Sequence, residues 1–167
     1  MGGSAEERSM SHEMAAALSA SVQLHLLPKS SIAVHALVLQ DDGSALPAAI
    51  ACASLALADA SIVLYGLVGA CGCSLLGDRV SLDPTAAELG GAAGSLSLAC
   101  MPTLDHVTLL REQGATPYAQ MTEALQLALS GCTRLHTEMT AALRKGAERS
   151  VEPASLQGDR VEGEEAV

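Results

Sequence analysis

The sequence predicts a single domain of the α/β or α+β class, in which helices pack on a mixed β-sheet. The predicted elements follow one another as helix, strand, helix, several strands and a long helix. The composition is 49% hydrophobic but only 1% aromatic, so the core must consist of closely packed Leu, Val, Ile and Ala side chains. A chain of 167 residues is long enough for one such domain.

The first predicted helix covers residues 5–22. Ser4 and Glu7 have the spacing of a capping box. Apolar residues then recur at intervals of four, at Met10, Met14, Leu18 and Val22. After a turn at Pro28, a β-branched run predicts a strand over residues 32–38, with His35 on the face opposite its apolar residues.

A second helix is predicted over residues 45–59. Ser44 is a plausible N-cap, and Pro47 lies in the first turn, where a missing N–H does no harm. The helix consists mostly of Ala and has almost no polar face, so we expect it to lie buried against the sheet. Residues 61–76 predict one or two buried strands, because their glycines would interrupt a long helix.

The remaining sequence predicts further strands and one long helix. "GDRVSLDPT" indicates a turn and a short strand that ends at Asp83, and "SLSLACM" and "DHVTLL" alternate like paired strands. A helix with an apolar stripe of about six turns begins near Pro117. From Lys145 onward the sequence is charged and lacks periodicity, which predicts a disordered acidic tail over residues 145–167.

The charge balance bears on possible partners. The formal net charge of −10 opposes unaided binding to nucleic acid, because phosphate contacts need clustered Lys or Arg. The first ten residues, "MGGSAEERSM", do not have the pattern of a secretion signal. Together with an odd number of cysteines, five, this predicts free thiols in an intracellular, reducing compartment.

Several kinds of site were weighed from motifs alone. Cys71 and Cys73 could begin a zinc site with His25, His35 or His106, but their spacing is not that of structural zinc ligands, and buried small thiols are the favoured interpretation. No G-x-S-x-G elbow or G-x-G-x-x-G fingerprint occurs. Residues 45–76 are apolar enough to suggest a membrane anchor, although Asp59 interrupts the apolar stretch.

The loop before the Ala-rich helix lies where a phosphate-binding site could form, but its residues argue against one. Backbone amides at a helix N-terminus bind phosphate readily. Here Asp41 and Asp42 repel an anion, Pro47 removes one donor, and no cation compensates.

These segments resemble a known family, the RNase PH-like subunits of the RNA exosome. "VLQDDGSALPAAIACASLALADA" resembles the family's strand, loop and small-residue helix. "LVGACGCSLLGDRVSLDPTAAEL", "SLSLACMPTLDHVTLL" and "MTEALQLALSGCTRLHTEMTAAL" resemble the elements that follow. Within the family, "DGSAL" and "LDPT" are most similar to the mRNA-transport-type ring subunits. The resemblance covers residues 5–145 and implies an α+β fold like domain two of ribosomal protein S five.

The resemblance implies a degenerate phosphate loop formed by Asp42, Gly43, Ser44, Leu46 and Pro47. In active relatives, phosphate attacks the terminal phosphodiester of RNA while an Arg of this loop holds it and two Asp residues assist. That Arg falls on Leu46, which cannot bind phosphate bidentately. Asp83 keeps the first acid as a vestige, whereas the second falls on Leu89, next to Glu88. The resemblance therefore implies no catalytic residue, no metal and no cofactor.

We therefore expect a non-catalytic subunit whose partners are other RNase PH-like ring subunits and RNA-binding cap subunits. RNA would be contacted through the assembled complex, in nucleus, nucleolus and cytoplasm. Residues 1–144 would form a partial domain, incomplete at the N-terminus. An active phosphate-dependent exoribonuclease and a small membrane-associated protein anchored by residues 45–76 remain as alternatives.

Overall fold

A computed structural model describes residues 4–151 of the chain. The predicted α+β class is confirmed. The elements in order are α1 Ala5–Ser19, a 3₁₀ turn Leu24–Leu26, α2 Ala45–Asp59, β1 Gly69–Leu76, β2 Arg79–Leu82, α3 Ala86–Gly91, β3 Gly94–Met101, a 3₁₀ turn Pro102–Leu104, β4 His106–Gly114 and α4 Tyr118–Val151.

The four strands form one sheet in the order β2-β1-β3-β4. Each neighbouring pair is antiparallel, so the expected mixed sheet is wrong for the part of the chain that the structure describes. The connections from β1 to β2 and from β3 to β4 are short and suit antiparallel neighbours, whereas a parallel pair needs a crossover of a dozen or more residues. The register sets Cys71 opposite Leu98 and Gly69 opposite Cys100.

Helices cover both faces of this sheet. α1 and α2 pack on one face around Ile50, Val68 and Ala99. α4 packs on the other face, where Ala124, Ala128 and Cys132 meet alternate side chains of β1 and β3. Because neighbouring strand residues point to opposite faces, β1 contributes Ala70 to the first core and Cys73 to the second. Two separate apolar cores therefore sandwich the sheet.

The capping box at the start of α1 is confirmed. The Glu7 amide donates to Ser4 Oγ at 3.1 Å, and the Ser4 amide donates to Glu7 Oε2 at 2.7 Å. α1 ends at Ser19, three residues before the predicted end, and Val22 instead forms a β-bridge with Leu64. The bounds of α2 agree with the prediction.

The predicted strand over residues 32–38 is wrong. The segment forms no regular secondary structure, and from Ser31 to Gln40 no backbone group forms a hydrogen bond with another described residue. Leu37 is 83% exposed and Leu39 is 90% exposed, while Val34 is partly buried. A β-branched run favours extended backbone, but a strand also requires a neighbouring strand to supply the ladder. We call residues 31–40 the open segment.

The structure also bears on the predicted acidic tail and on the possible membrane anchor. α4 continues to Val151, so the first seven residues of the predicted disordered tail are helical, and residues 152–167 lie outside the described part of the chain. Within residues 4–151, no helix combines the length and apolar character needed to cross a bilayer.

Candidate functional site

The loop before α2 has a tight local structure. Asp41 Oδ1 accepts a hydrogen bond from the Gly43 amide at 2.8 Å, closing an Asx turn. Gly43 has φ of +123°, a region that residues with a Cβ rarely adopt. The glycine therefore allows the chain to reverse from the open segment into the first turn of α2.

The same loop docks against the start of α3. Asp42 Oδ1 accepts a hydrogen bond from the Ala86 amide at 3.3 Å. An ideal Cβ placed on Gly43 would lie 2.5 Å from the carbonyl oxygen of Pro84, so the two backbones are in direct contact. This contact brings the loop beside Asp83, which is 40 residues away in the sequence.

Asp83 lies at a bend that fixes its position. Its φ is +53°, and its amide donates to the carbonyl oxygen of Gly72 on β1 at 2.8 Å. The side chain is exposed and borders a cavity of about 310 Å³ together with Asp41, Asp42 and Ser44. The described lining residues supply three carboxylates and no Lys or Arg. Such a lining repels orthophosphate, which is itself an anion.

The two positions at which the resemblance places the phosphate-binding Arg and the second acid meet in a second cavity. Leu46 and Leu89 both line this cavity of about 460 Å³, which also borders Gly43 and Pro47. Leu46 is only 7% exposed and belongs to the core between α1, α2 and the sheet. The Leu46 side chain is thus a packing residue, and it offers no hydrogen-bond donor to a ligand.

The predicted N-cap at Ser44 occupies the right position but makes no cap. Its Oγ accepts no hydrogen bond from the helix, and this atom is buried without a partner. Counting from the cap, Pro47 is the third helical residue, where the amide that usually reaches the cap is missing. The start of α2 therefore lacks the Pro47 amide as a hydrogen-bond donor, and the Ser44 hydroxyl does not cap it.

Glu88, adjacent to the lost second acid, is committed to a structural task. Its carboxylate accepts hydrogen bonds from the Thr85 amide at 2.8 Å and the Thr85 hydroxyl at 3.0 Å. These bonds lower the pKa of Glu88, first through the backbone amide and then through the hydroxyl. An ionised capping residue is a poor general acid, so Glu88 does not replace the acid missing at Leu89.

Sequence reasoning missed Arg111, a guanidinium that borders this site. Arg111 lies on β4 and lines the cavity that Leu46 and Leu89 border. Its Nη1 donates to Glu13 Oε2 at 3.0 Å, so part of its charge is already neutralised by α1. No local motif could have identified it, because only the pairing of β4 with β3 and the packing of α1 bring it there.

In the described part of the chain, the cysteine and histidine residues do not form a zinc site. Within the described residues, no group of three or more His, Cys, Asp or Glu side chains is placed to hold a metal ion. Cys73 is 1% exposed, and its thiol donates to the carbonyl oxygen of Ala124 at 3.6 Å. Burial raises the pKa of Cys73 to about 11, with a smaller contribution from Cys71. Cys73 is therefore a buried core thiol, as the sequence predicted.

Comparison with known families identifies the chain. Domain 1 of the 3' exoribonuclease family, RNase PH, matches residues 2–63, and domain 2 of the same family matches residues 66–131. The chain belongs to the RNase PH-like family. The similarity runs through the whole sheet and both helical faces.

The most similar curated relatives carry exosome names. The chain is 40% identical to human exosome complex component MTR3 over 151 residues, covering 88% of this chain and 56% of that protein. It is 37% identical to an exosome complex component RRP41-like protein of Arabidopsis thaliana, with the same shares of 88% and 56%. Exosome complex component Rrp41 of the archaeon Cenarchaeum symbiosum is 33% identical, over 76% of this chain and 52% of that protein. The chain thus spans about half the length of these relatives.

A solved structure supports the RNase PH-like fold. Rice Rrp46 superposes with a TM-score of 0.71, covering 86% of this chain and 68% of that chain at 22% sequence identity. At this identity the likeness concerns the fold alone. In RNase PH-like terms, residues 2–63 hold α1, the open segment and α2, while residues 66–131 hold the whole described sheet and the first part of α4.

Proposed function

We propose that this chain is a non-catalytic structural subunit of an RNA exosome ring, of the MTR3 type, which supports 3'-to-5' RNA processing and degradation by associated nucleases. The observation that carries the proposal is Leu46, a 7% exposed aliphatic side chain at the loop position where the resemblance places a phosphate-binding Arg. Without that guanidinium, nothing in the loop supplies bidentate contacts to orthophosphate.

The electrostatics of the loop add to this argument. Asp41, Asp42 and Asp83 border one small cavity without a Lys or Arg among its described lining residues. Arg111, which lines the neighbouring cavity with Leu46, is paired with Glu13. Bringing a phosphate dianion against three carboxylates costs free energy that a shared guanidinium does not offset. The charges around the loop therefore support a subunit that keeps the RNase PH-like fold but does not catalyse phosphorolysis.

The open segment supports a role in assembly. Its backbone groups have no partner among the described residues, and Leu37 and Leu39 are largely exposed. An exposed apolar segment with unpaired backbone groups is a template for pairing with a strand of another subunit. The partners we propose are other RNase PH-like ring subunits and RNA-binding cap subunits, with RNA contacted through the assembly. The proposed compartments are nucleus, nucleolus and cytoplasm.

One alternative has an observation in its favour. The matched family is described as 3' exoribonucleases, and Asp83 keeps an acid beside the loop. An active phosphate-dependent exoribonuclease is the second candidate function. It would require Arg111 to leave Glu13 and hold phosphate in place of residue 46.

A phosphorolysis assay separates the two functions. The purified chain is incubated with a 5'-labelled RNA, with and without orthophosphate, beside an active member of the family. We expect no shortening of the RNA and no nucleoside diphosphate. Phosphate-dependent shortening that disappears in Asp83→Asn, but persists in the matched surface variant Asp78→Asn, would establish the enzyme and overturn our proposal.

Assembly is tested separately by native mass spectrometry with the other ring subunits. We expect a stoichiometric complex that contains this chain. Substitution of both exposed leucines, Leu37→Asp with Leu39→Asp, should weaken the complex, whereas Leu129→Asp on the exposed side of α4 serves as the control. A chain that remains monomeric beside an assembled ring would contradict the structural role.

A further inference from the structure

Three cysteines from three elements converge on the face of the sheet that α4 covers. Cys71 lies on β1, Cys100 on β3 and Cys132 on α4, and all three belong to one apolar cluster. Cys132 packs directly on the strand, since an ideal Cβ placed on Gly69 would lie 3.0 Å from the Cys132 carbonyl oxygen. Gly69 is paired with Cys100 in the ladder, so Cys132 lies over the β1 and β3 pair.

The Cys132 side chain lies against the strand pair that carries Cys71. Cys132 Sγ lies 3.7 Å from the carbonyl oxygen of Leu98, and Leu98 is the residue directly opposite Cys71. From the other side, an ideal Cβ placed on Gly131 would lie 2.9 Å from Cys71 Sγ. The Cys71 sulfur therefore touches α4 at the residue next to Cys132.

The two sulfurs differ in access. Cys71 is partly buried and borders a groove of about 630 Å³ between α2 and α4, which Arg134 also lines. Cys132 is 0% exposed and Cys100 is 3% exposed. A small oxidant that enters the groove meets Cys71 before it can meet the other two.

The same contact separates their acidities. A hydrogen bond from Cys132 lowers the pKa of Cys71, and burial and the nearby Asp83 oppose this with smaller effects. The pKa of Cys132 is raised, first by its hydrogen bonds with Cys100 and Cys71 and then by burial. Cys71 is thus the more acidic thiol of the pair, and the thiolate is the form that reacts with oxidants.

We propose that Cys71 and Cys132 form a peroxide-responsive modification site, in which oxidation joins β1 to α4 through a disulfide. The Cys71 thiolate attacks one oxygen of hydrogen peroxide; the S–O bond forms, the O–O bond breaks and hydroxide leaves. The Cys132 sulfur then attacks the Cys71 sulfur; the S–S bond forms and the S–O bond breaks. The Cys132 thiol proton leaves with the hydroxyl group as water. Overall, two thiols are oxidised by two electrons and one peroxide is reduced to two waters.

Cys132 is the resolving residue because it is the thiol in contact with Cys71. Cys52, the other cysteine of the groove, lies on α2 and is exposed. Cys100 contacts Cys132 from the β3 side and is shielded from the groove. The link should therefore be specific to one of the ten possible pairs of the five cysteines.

Peptide mapping of the full chain tests this directly. The reduced protein is treated with hydrogen peroxide, remaining thiols are blocked under denaturing conditions, and the chain is digested with trypsin. Cleavage at Lys29, Arg79, Arg111 and Arg134 places Cys132 alone in residues 112–134, Cys100 alone in residues 80–111, and the other three cysteines in residues 30–79. A second cut after Tyr65 separates Cys52 from Cys71 and Cys73.

The expected product joins residues 112–134 to the fragment that contains Cys71, and fragment ions place the link on Cys71 rather than Cys73. The number of free thiols should fall by two and return with dithiothreitol. Unfolding the chain in urea before oxidation should abolish the preference for this link. A dominant link through Cys52, or no oxidation at Cys71, would overturn the proposal.

Matched variants give an independent readout. Cys132→Ala should leave Cys71 as a sulfenic acid that dimedone traps, with complete loss of the link, whereas Cys52→Ala should form the link at the wild-type rate. Circular dichroism establishes that each variant is folded. If Cys132→Ala does not fold, the wild-type map alone decides, because it needs no substitution.

Discussion

The two family-matched regions of the chain differ in whether their apolar segments form hydrogen bonds with a neighbouring strand. In residues 66–131, each strand pairs with at least one neighbour, and Leu98 is 1% exposed between α4 and its neighbours. In residues 2–63, the open segment is equally apolar, yet Leu39 is 90% exposed and the backbone finds no partner among the described residues. An apolar, β-branched sequence therefore does not by itself make a strand; it needs an adjacent ladder.

The largest difference in stability should appear when one leucine of each region is truncated to alanine. Leu98→Ala should lower the free energy of unfolding by about 2–5 kcal/mol, because it leaves a cavity under α4. Leu39→Ala should change it by less than about 0.5 kcal/mol in the isolated chain, because the side chain is already in water. Urea unfolding followed by circular dichroism measures both. Equal losses would mean that the open segment is packed.

The next effect compares two glycines with positive φ. Gly43→Ala should cost roughly 1–3 kcal/mol or more, because the left-handed backbone is strained and the new Cβ meets the backbone of Pro84. Gly77, in the β1–β2 turn, has φ of +59° and nothing within 4 Å of an added Cβ. Gly77→Ala should therefore cost only about 1 kcal/mol, from backbone strain alone. Similar losses in thermal unfolding would indicate that the loop does not dock on α3.

A smaller difference in stability should separate substitutions of the two serines that precede helices in residues 2–63. Ser4→Ala removes a working capping box and should cost about 1 kcal/mol. Ser44→Ala removes a buried hydroxyl that has no hydrogen-bond partner among the described residues, and should be neutral or stabilising. Helix content and the urea midpoint measure both variants. A loss at Ser44 as large as that at Ser4 would mean that Ser44 caps α2 in solution.

The smallest effect is a pH dependence in residues 66–131. Because burial raises the pKa of Cys73 from 9.0 to about 11, its neutral thiol stabilises the fold below pH 9, and this contribution falls as the pH rises toward 11. Between pH 8 and pH 9.5, the wild type should lose up to about 1 kcal/mol more than Cys73→Ala. Paired urea titrations at the two pH values provide the measurement. Parallel losses in the two proteins would place Cys73 in contact with water.

Much of the local structure could be read from the sequence because it depends on neighbours in the chain. Ser4 and Glu7 are three residues apart, so their capping box forms within one turn. Likewise, the apolar stripe of α4 predicted its buried face, and alternation in β3 and β4 predicted their pairing. The end of α4 was placed too early, since charge alone does not stop a helix, and no Pro occurs between Tyr118 and Val151 to break it.

The sequence by itself determined the α+β class, the bounds of α2 and the absence of Lys and Arg from the loop over residues 39–47. Only the tertiary structure decided that Leu46 and Leu89 line one cavity, that Arg111 joins them there, and that Cys71 meets Cys132. Capping and periodicity act over three or four residues, whereas these meetings join residues 22 to 65 positions apart. Such distant residues come together only through the strand register and the seating of α1 and α4 on the sheet, which no short stretch of sequence encodes.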